Sequence, residues 1–107
     1  MTSLQRGRIY WAVLDDALGR QPYLVVSNNG RNRNLSSVLA VRITTSRKPV
    51  IPSVVSLGPG DALVGSVLCD EVGPLWEDEV QADAGAISPG TMRAVDAGLH
   101  DALGLAN

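Results

Sequence analysis

The stretch QPYLVVSNNGRNRN, Gln21 to Asn34, decides how the chain reads. Tyr23 to Val26 is a dense apolar run that passes directly into Ser, Asn, Gly and Arg. A short run of this kind predicts one buried strand, Tyr23 to Ser27, delivering a polar and basic loop, Asn28 to Ser36, to the surface. Pro22 suits the first position of that strand, where its missing N–H costs least. Asn28, Asn29 and Gly30 tolerate positive φ, so the chain is expected to turn there. Arg31 and Arg33 then set two permanent charges beside the turn.

Strand signals continue on both sides. Ile9 to Leu14 is a second continuous apolar run, consistent with a strand covered on both faces. Met1 to Gln5 reads as a frayed start, and Asp15 to Gly19 as a loop ending in a turn. Val38 to Ile43 predicts the next strand, with Thr44, Thr45 and Ser46 as its polar end and Arg47-Lys48-Pro49 as the break. Ser53 to Leu57 and Leu63 to Cys69 predict two more, separated by the turn signal Gly58-Pro59-Gly60-Asp61, with Gly65 marking a bulge. Pro74 to Glu79 has no period and reads as a short turn or 3₁₀ piece. Gln81 to Ile87 is a weak last strand. Ser88 is a good N-cap, and Pro89 fits the first helical position. Met92, Val95, Leu99, Ala102 and Leu103 form an apolar face at helical spacing, and Gly104 falls where a left-handed cap ends the helix, with Leu105 placed to pack back. The sum is a mainly β (α+β) fold: a small, curled, largely antiparallel sheet with a C-terminal helix packed on it.

At 107 residues the chain is one domain, 1–107. It has a single cysteine, Cys69, and a single histidine, His100, too few for an internal disulfide or a structural zinc site. No charged-then-apolar leader opens it and no apolar run approaches ~18 residues, so it is expected to be soluble and cytoplasmic. The net charge of −2 hides a division. Residues 1–53 hold eight Lys or Arg against two Asp, a net of +6, whereas residues 54–107 hold one Arg against nine acids, a net of −8. Such asymmetry hints at a polyanion-binding face; the plainer reading is that the two halves intermix in the fold.

Few residues are equipped for catalysis. Histidine-based acid–base chemistry usually needs two imidazoles, and His100 stands alone on the exposed side of the last helix, spaced to pair with Asp96. Cys69 lies in a β pattern beside Asp70 and Glu71, which oppose a thiolate, and reads as core. Asp70, Glu71, Glu77, Asp78 and Glu79 read as a solvated face sooner than a metal site. What remains is a hydroxyl and guanidinium set: Arg20, Ser27, Thr44, Thr45, Ser46, Arg47 and Lys48. An arginine fork can give two parallel hydrogen bonds to a phosphate, and a threonine at a strand end can set a hydroxyl beside it. The same residues also read as ordinary strand threonines and surface arginines.

The order of motifs goes further. RGRIYWAVLD (Arg6 to Asp15), QPYLVVSNN (Gln21 to Asn29), VRITTS (Val41 to Ser46), VIPSVVSL (Val50 to Leu57), GSVLCDEV (Gly65 to Val72) and the closing ISPGTMRAVDAGLHDALGL occur in sequence. Taken together they resemble the MazF/PemK family of toxin endoribonucleases from type II toxin–antitoxin modules, over nearly the whole chain. The resemblance implies an SH3-like β-barrel with a C-terminal helix, a homodimer, and cleavage of single-stranded RNA without metal or other cofactor. The RNA would be messenger RNA first, with transfer or ribosomal RNA as further targets. In the family's chemistry the ribose 2′-OH attacks the adjacent phosphate, leaving a 2′,3′-cyclic phosphate and a 5′-OH.

By resemblance Thr44 is catalytic, bonding the scissile phosphate, and Arg20 takes the phosphate-stabilising and proton-donating role. Relatives usually carry the basic residue directly before the strand's proline, where this chain has Gln21; Arg20 is one step earlier, and Arg47 is the substitute. The loop Asp15 to Gly19 is shorter than in many relatives. Ser27, Asn28, Arg31, Thr45, Ser46 and Arg47 are implied substrate contacts, and Asn29, Asn32 and Asn34 further candidates for base choice. The implied partners are the RNA, a second copy, and an acidic, partly disordered MazE-like antitoxin that folds across the RNA groove. Two alternatives share the fold: a toxin that poisons DNA gyrase without cutting RNA, and an SH3-like nucleic-acid-binding module with Trp11 and Trp76 as stacking platforms.

Overall fold

The structure, a computed structural model, describes residues 2–105. Seven strands form one antiparallel sheet: β1 (Arg8–Val13), β2 (Arg20–Val25), β3 (Ser37–Thr44), β4 (Val54–Ser56), β5 (Ser66–Leu68), β6 (Gly73–Trp76) and β7 (Val80–Ala86). A short helix α1 (Asn29–Asn34) links β2 to β3, and α2 (Pro89–Ala102) closes the fold. The strand order is β4-β5-β3-β2-β1-β7, with β6 also on β3. The eight-residue strand β3 serves two neighbours along one edge: Ser37 to Ala40 pair with β6, and Ile43 and Thr44 pair with β5. That handover curls the sheet as expected, yet β4 and β7 do not pair, so the expected barrel is not closed by hydrogen bonds.

Alternation explains why the apolar runs are continuous. Ile9, Leu24, Val26, Val41 and Ile43 enter one core with Val67, Cys69, Ile87 and Val95 of α2. Tyr10, Ala12, Tyr23, Val25, Val38 and Ala40 enter a second core, capped by Leu4 and Leu75. Both faces of the central strands are therefore buried.

Several elements differ from expectation. Asn28 to Ser36 is not a positive-φ turn: no non-glycine residue has positive φ among the described residues, and Asn29–Asn34 is helical. The Asn28 side chain caps that helix by accepting from the Arg31 N–H, which outweighs the poor helix propensity of the sequence. Pro22 is the third residue of β2, tolerated because β3 joins only from Tyr23 onward and leaves Pro22 at a margin. Gly73 to Trp76 form a strand because Ser37 to Ala40 of β3 offer an unpaired edge; only Glu77–Glu79 is a 3₁₀ turn. β5 ends at Leu68, with Cys69–Glu71 in a 3₁₀ turn.

Thr2 to Gln5 are not frayed. Leu4 is buried, and Glu77 accepts from the Ser3 N–H and from the Thr2 and Ser3 hydroxyls. The expected helix forms, with Ser88 Oγ accepting from the Thr91 N–H and Gly104 at φ 66°. The Gly104 N–H donates to Asp101 O and the Leu105 N–H to His100 O, completing a Schellman cap. Leu103 and Leu105 stay exposed, so Leu105 does not pack back as expected. No helix among the described residues is long and apolar enough to cross a membrane.

Candidate phosphate-binding cleft

β3 ends at Thr44, which is buried, and its Oγ1 accepts the Ser46 N–H at 3.1 Å. The chain beyond it is held close by Gly65. Gly65 has φ 129°, and a Cβ there would sit 2.6 Å from the Thr44 carbonyl oxygen, so only glycine lets β5 approach. Beside this strand end, β2 begins with Arg20. Tyr23 pairs with Arg42; continuing that register toward the open end sets Gln21 across from Thr44. Arg20 consequently projects from the opposite face.

The two strand ends enclose a cleft of about 580 Å³, lined by Arg20, Gln21, Arg42, Thr44, Thr45 and Ser46 among its polar residues. Trp11, Leu18, Pro22, Ile43, Leu63 and Val64 supply its apolar walls. Arg20 lies over the Trp11 ring, 4.8 Å from the centroid, and its Nε donates to Gln81 Oε1 at 2.9 Å. The Gln21 amide donates to Leu18 O and ties down the β1–β2 loop. Arg42 makes a two-pronged ion pair with Glu71, its Nε and Nη2 donating at 3.1 and 3.2 Å. Across from it, burial pushes the Tyr23 phenol above its ordinary range, with Arg42 opposing the shift. Guanidinium, amide and hydroxyl groups thus converge on a partly apolar hollow, a donor set suited to a phosphodiester beside a base.

Of the residues singled out in the sequence, Arg20, Thr44, Thr45 and Ser46 come together here. Arg47 is exposed and lies outside the lining. Ser27, Asn28 and Arg31 are also elsewhere, engaged in the fold. The Ser27 hydroxyl donates to Asn32 Oδ1 and accepts the Leu39 N–H; Asn28 caps α1; Arg31 Nη1 donates to Ser37 O at 2.7 Å. Asn32 is buried against Ser27, and Asn29 accepts the Arg6 N–H. Trp11, named above only as a stacking platform in the binding-module alternative, lines the cleft, while Arg42, Leu63 and Val64 are site residues the sequence reading does not name. Arg42 was findable, since a residue two before Thr44 shares its face of a strand; Leu63 and Val64 arrive from a distant loop and carry no such signal.

The charge division resolves as intermixing. Each of the three ion pairs among the described residues, Arg6–Asp96, Arg8–Asp83 and Arg42–Glu71, joins the basic half to the acidic half. Asp96 is therefore engaged by Arg6, not by His100, which sits half-buried in a shallow hollow with Pro52 and Leu105. Cys69 is buried, and burial, aided by Asp70 and Asp96, pushes its thiol up to about 11. Among the described residues no group of three or more His, Cys, Asp or Glu is arranged to hold a metal ion.

Comparison with known proteins places this arrangement. Residues 5–103 match the family model described as PemK-like, MazF-like toxin of type II toxin-antitoxin system. The chain is 42% identical over 105 residues to endoribonuclease MazF1 of Mycobacterium bovis, covering 98% of this chain and 97% of the relative. Endoribonuclease MazF4 of Mycobacterium tuberculosis matches to the same extent. A mycobacterial endoribonuclease solved in complex with its cognate antitoxin superposes with a TM-score of 0.91 at 41% identity, over 98% of this chain and 99% of that one. A chain of a crystal structure of MazE-MazF from Deinococcus radiodurans, 23% identical, shares the fold with a TM-score of 0.80, over 99% of this chain and 100% of that one. With the match running across almost all of its sheet and its terminal helix, the chain belongs to the PemK/MazF-like toxin family of type II toxin–antitoxin systems.

Proposed function

We propose that this toxin is an endoribonuclease that cuts single-stranded RNA by transesterification, with Thr44 and Arg20 as its catalytic pair. The observation that carries the reading is the convergence of Arg20, Thr44, Thr45 and Ser46 on one cleft at the open ends of β2 and β3. The 2′-OH attacks the adjacent phosphorus and gives its proton to water, the P–O5′ bond breaks, and the 5′-oxygen takes a proton back from Arg20 or water, so that no net proton is consumed. The products are a 2′,3′-cyclic phosphate and a 5′-OH. Thr44 Oγ donates to a non-bridging oxygen, while the Arg20 fork neutralises charge gathering on the five-coordinate phosphorus. Thr45 and Ser46 extend the hydroxyl edge along the substrate. Family membership supports an antitoxin partner; an acidic segment folding over this cleft would mask Arg20. The toxin works as a homodimer on cytoplasmic RNA.

The test is purified protein with EDTA on a defined single-stranded RNA. Cleavage leaving 5′-OH ends is expected. Thr44→Ala and Arg20→Ala should keep the fold and cut on the order of 10²–10³-fold more slowly. Intact RNA together with inhibition of DNA gyrase would overturn the reading, and loss of activity in Arg47→Ala but not Arg20→Ala would move the phosphate role to Arg47.

A further inference from the structure

The sheet is irregular where β7 passes Arg20. Trp11 of β1 pairs with Ala82, but the next residue, Ala12, pairs with Val80, so Gln81 has no partner opposite and forms a β-bulge. A bulge twists its strand and re-aims the extra side chain. Here that side chain reaches across β1: Gln81 Oε1 accepts from Arg20 Nε at 2.9 Å, although Arg20 belongs to β2, on the far side of β1. The Arg20 side chain spans the gap by lying on Trp11, its diagonal neighbour on the same face. Trp11 of β1 and Gln81 of β7 thus hold a single guanidinium that β2 supplies.

We propose that Gln81 is a positioning residue for Arg20, fixing its guanidinium on Trp11 with the terminal nitrogens left to bind phosphate. The inference rests on Arg20 being the phosphate-binding arginine of the reaction proposed above. Three observations carry it. Arg20 and Gln81 are both exposed, and among the described residues this contact and the Trp11 ring are the polar and aromatic contacts the Arg20 guanidinium makes. Among the described residues no other hydrogen bond reaches the Arg20 guanidinium, so Nη1 and Nη2 keep their four N–H donors for a bidentate grip. The acceptor is a neutral amide, which orients the fork without neutralising it as the Glu71 carboxylate does for Arg42. The arrangement also accounts for Arg20 working from one step before the expected position: a side chain leaving the opposite face needs an external restraint to stay at the cleft.

The experiment uses the Trp76→Phe protein, in which Trp11 is the sole indole. Acrylamide quenching of Trp11 is measured alongside steady-state cleavage of a defined RNA for Gln81→Leu, Gln81→Glu and Arg20→Ala. Arg20→Ala sets the limit for an uncovered ring. Gln81→Leu is expected to move quenching most of the way to that limit and to lower kcat roughly tenfold, with KM within about twofold. Gln81→Glu keeps an acceptor oxygen, so it should restore protection and most of kcat while raising KM, because its charge competes with the phosphate. Quenching in Gln81→Leu equal to that of the parent would overturn the placement. Altered quenching with unchanged kcat would overturn the positioning role. If the parent cuts no RNA, the proposed function fails and the catalytic half of this inference with it, while quenching still decides the placement.

Discussion

Arg42 and Arg20 carry the same group and end in different chemical states. Arg42 is bound through two nitrogens to Glu71, and its charge is largely cancelled; Arg20 is bound through one nitrogen to an amide and keeps its full charge. Sequence reasoning could name Arg20 but not this difference, because Glu71 and Gln81 come from the other half of the chain. Gln21 sharpens the point, since the β2–β3 register, which ends at Tyr23 and Arg42, would set it across from Thr44 if continued. Gln21→Arg should therefore keep RNA cleavage or raise it, read as kcat/KM on a short RNA; a large loss would mean that Gln21 itself is needed, through its bond to Leu18 O. Gly65 is the residue on which Thr44 depends most directly. Gly65→Ala forces a Cβ against the Thr44 carbonyl at an unfavourable φ, at a cost of about 1–3 kcal/mol. Its cleavage rate should fall further than its stability alone accounts for, measured by single-turnover kinetics well below the melting transition.

At the scale of elements, α2 is fastened at both ends. Its core face carries Val95 fully buried with Met92, Leu99 and Ala102 packed around it. Gly98 lets the helix lie close, because a Cβ there would come within 2.9 Å of Cys69 Sγ and 3.0 Å of Pro52 O. Gly98→Ala should cost about 1–3 kcal/mol by overpacking, seen as a lower urea midpoint with the same slope. At the N-terminus, Asp61 of the β4–β5 loop accepts the Gly58 and Ser88 N–H groups, both at 2.6 Å, and the Thr91 hydroxyl at 2.8 Å. Burial pushes this carboxyl up, but those donors together bring it below the ordinary Asp range. A depressed folded-state pKa stabilises the fold above the unfolded value near ~3.9, and that stability is lost as pH falls through the folded value. Asp61→Asn should therefore unfold earlier in urea at pH 6, by about 1–2 kcal/mol, with the difference shrinking toward pH 3. The same loop carries Leu63 and Val64 to the cleft, so the variant should also raise KM for RNA.

At the scale of the whole molecule, the N- and C-terminal halves neutralise one another. Asp83 is held below its usual range by Arg8, and Glu77 by the Ser3 N–H and the hydroxyls of Ser3 and Thr2. Both shifts have the sign of Asp61, so overall stability should decline as pH drops below about 4, checked by urea unfolding from pH 6 to pH 3. Among the described residues Arg20, Arg31, Arg33, Arg47, Lys48 and Arg93 take no part in an ion pair. Of the eight cations in the first half of the sequence, Arg6, Arg8 and Arg42 are therefore taken up by carboxylates, and the positive field left for RNA comes from the other five and Arg93.

The class of fold, the central strands, the terminal helix with both caps, and Thr44 at a strand end were legible in the amino-acid order. Each of these rests on local chemistry: apolar runs, capping residues, and the order of short motifs. Tertiary structure alone decided the rest. Whether Asn28 to Ser36 turned or coiled depended on one cap and on the Ser27–Asn32 contact, which outweigh weak propensities. Gly73 to Trp76 became a strand only because β3 left an edge open. Ser27, Asn28 and Arg31 went to structural bonds, while Arg42, Leu63 and Val64 reached the cleft. Stretch 21–34 supplied most of β2, but Arg20 just before it was fixed by Trp11 and Gln81, nine residues earlier and sixty-one later in the chain. Pattern is local, whereas the aim of a long side chain is set by whatever the fold packs against it.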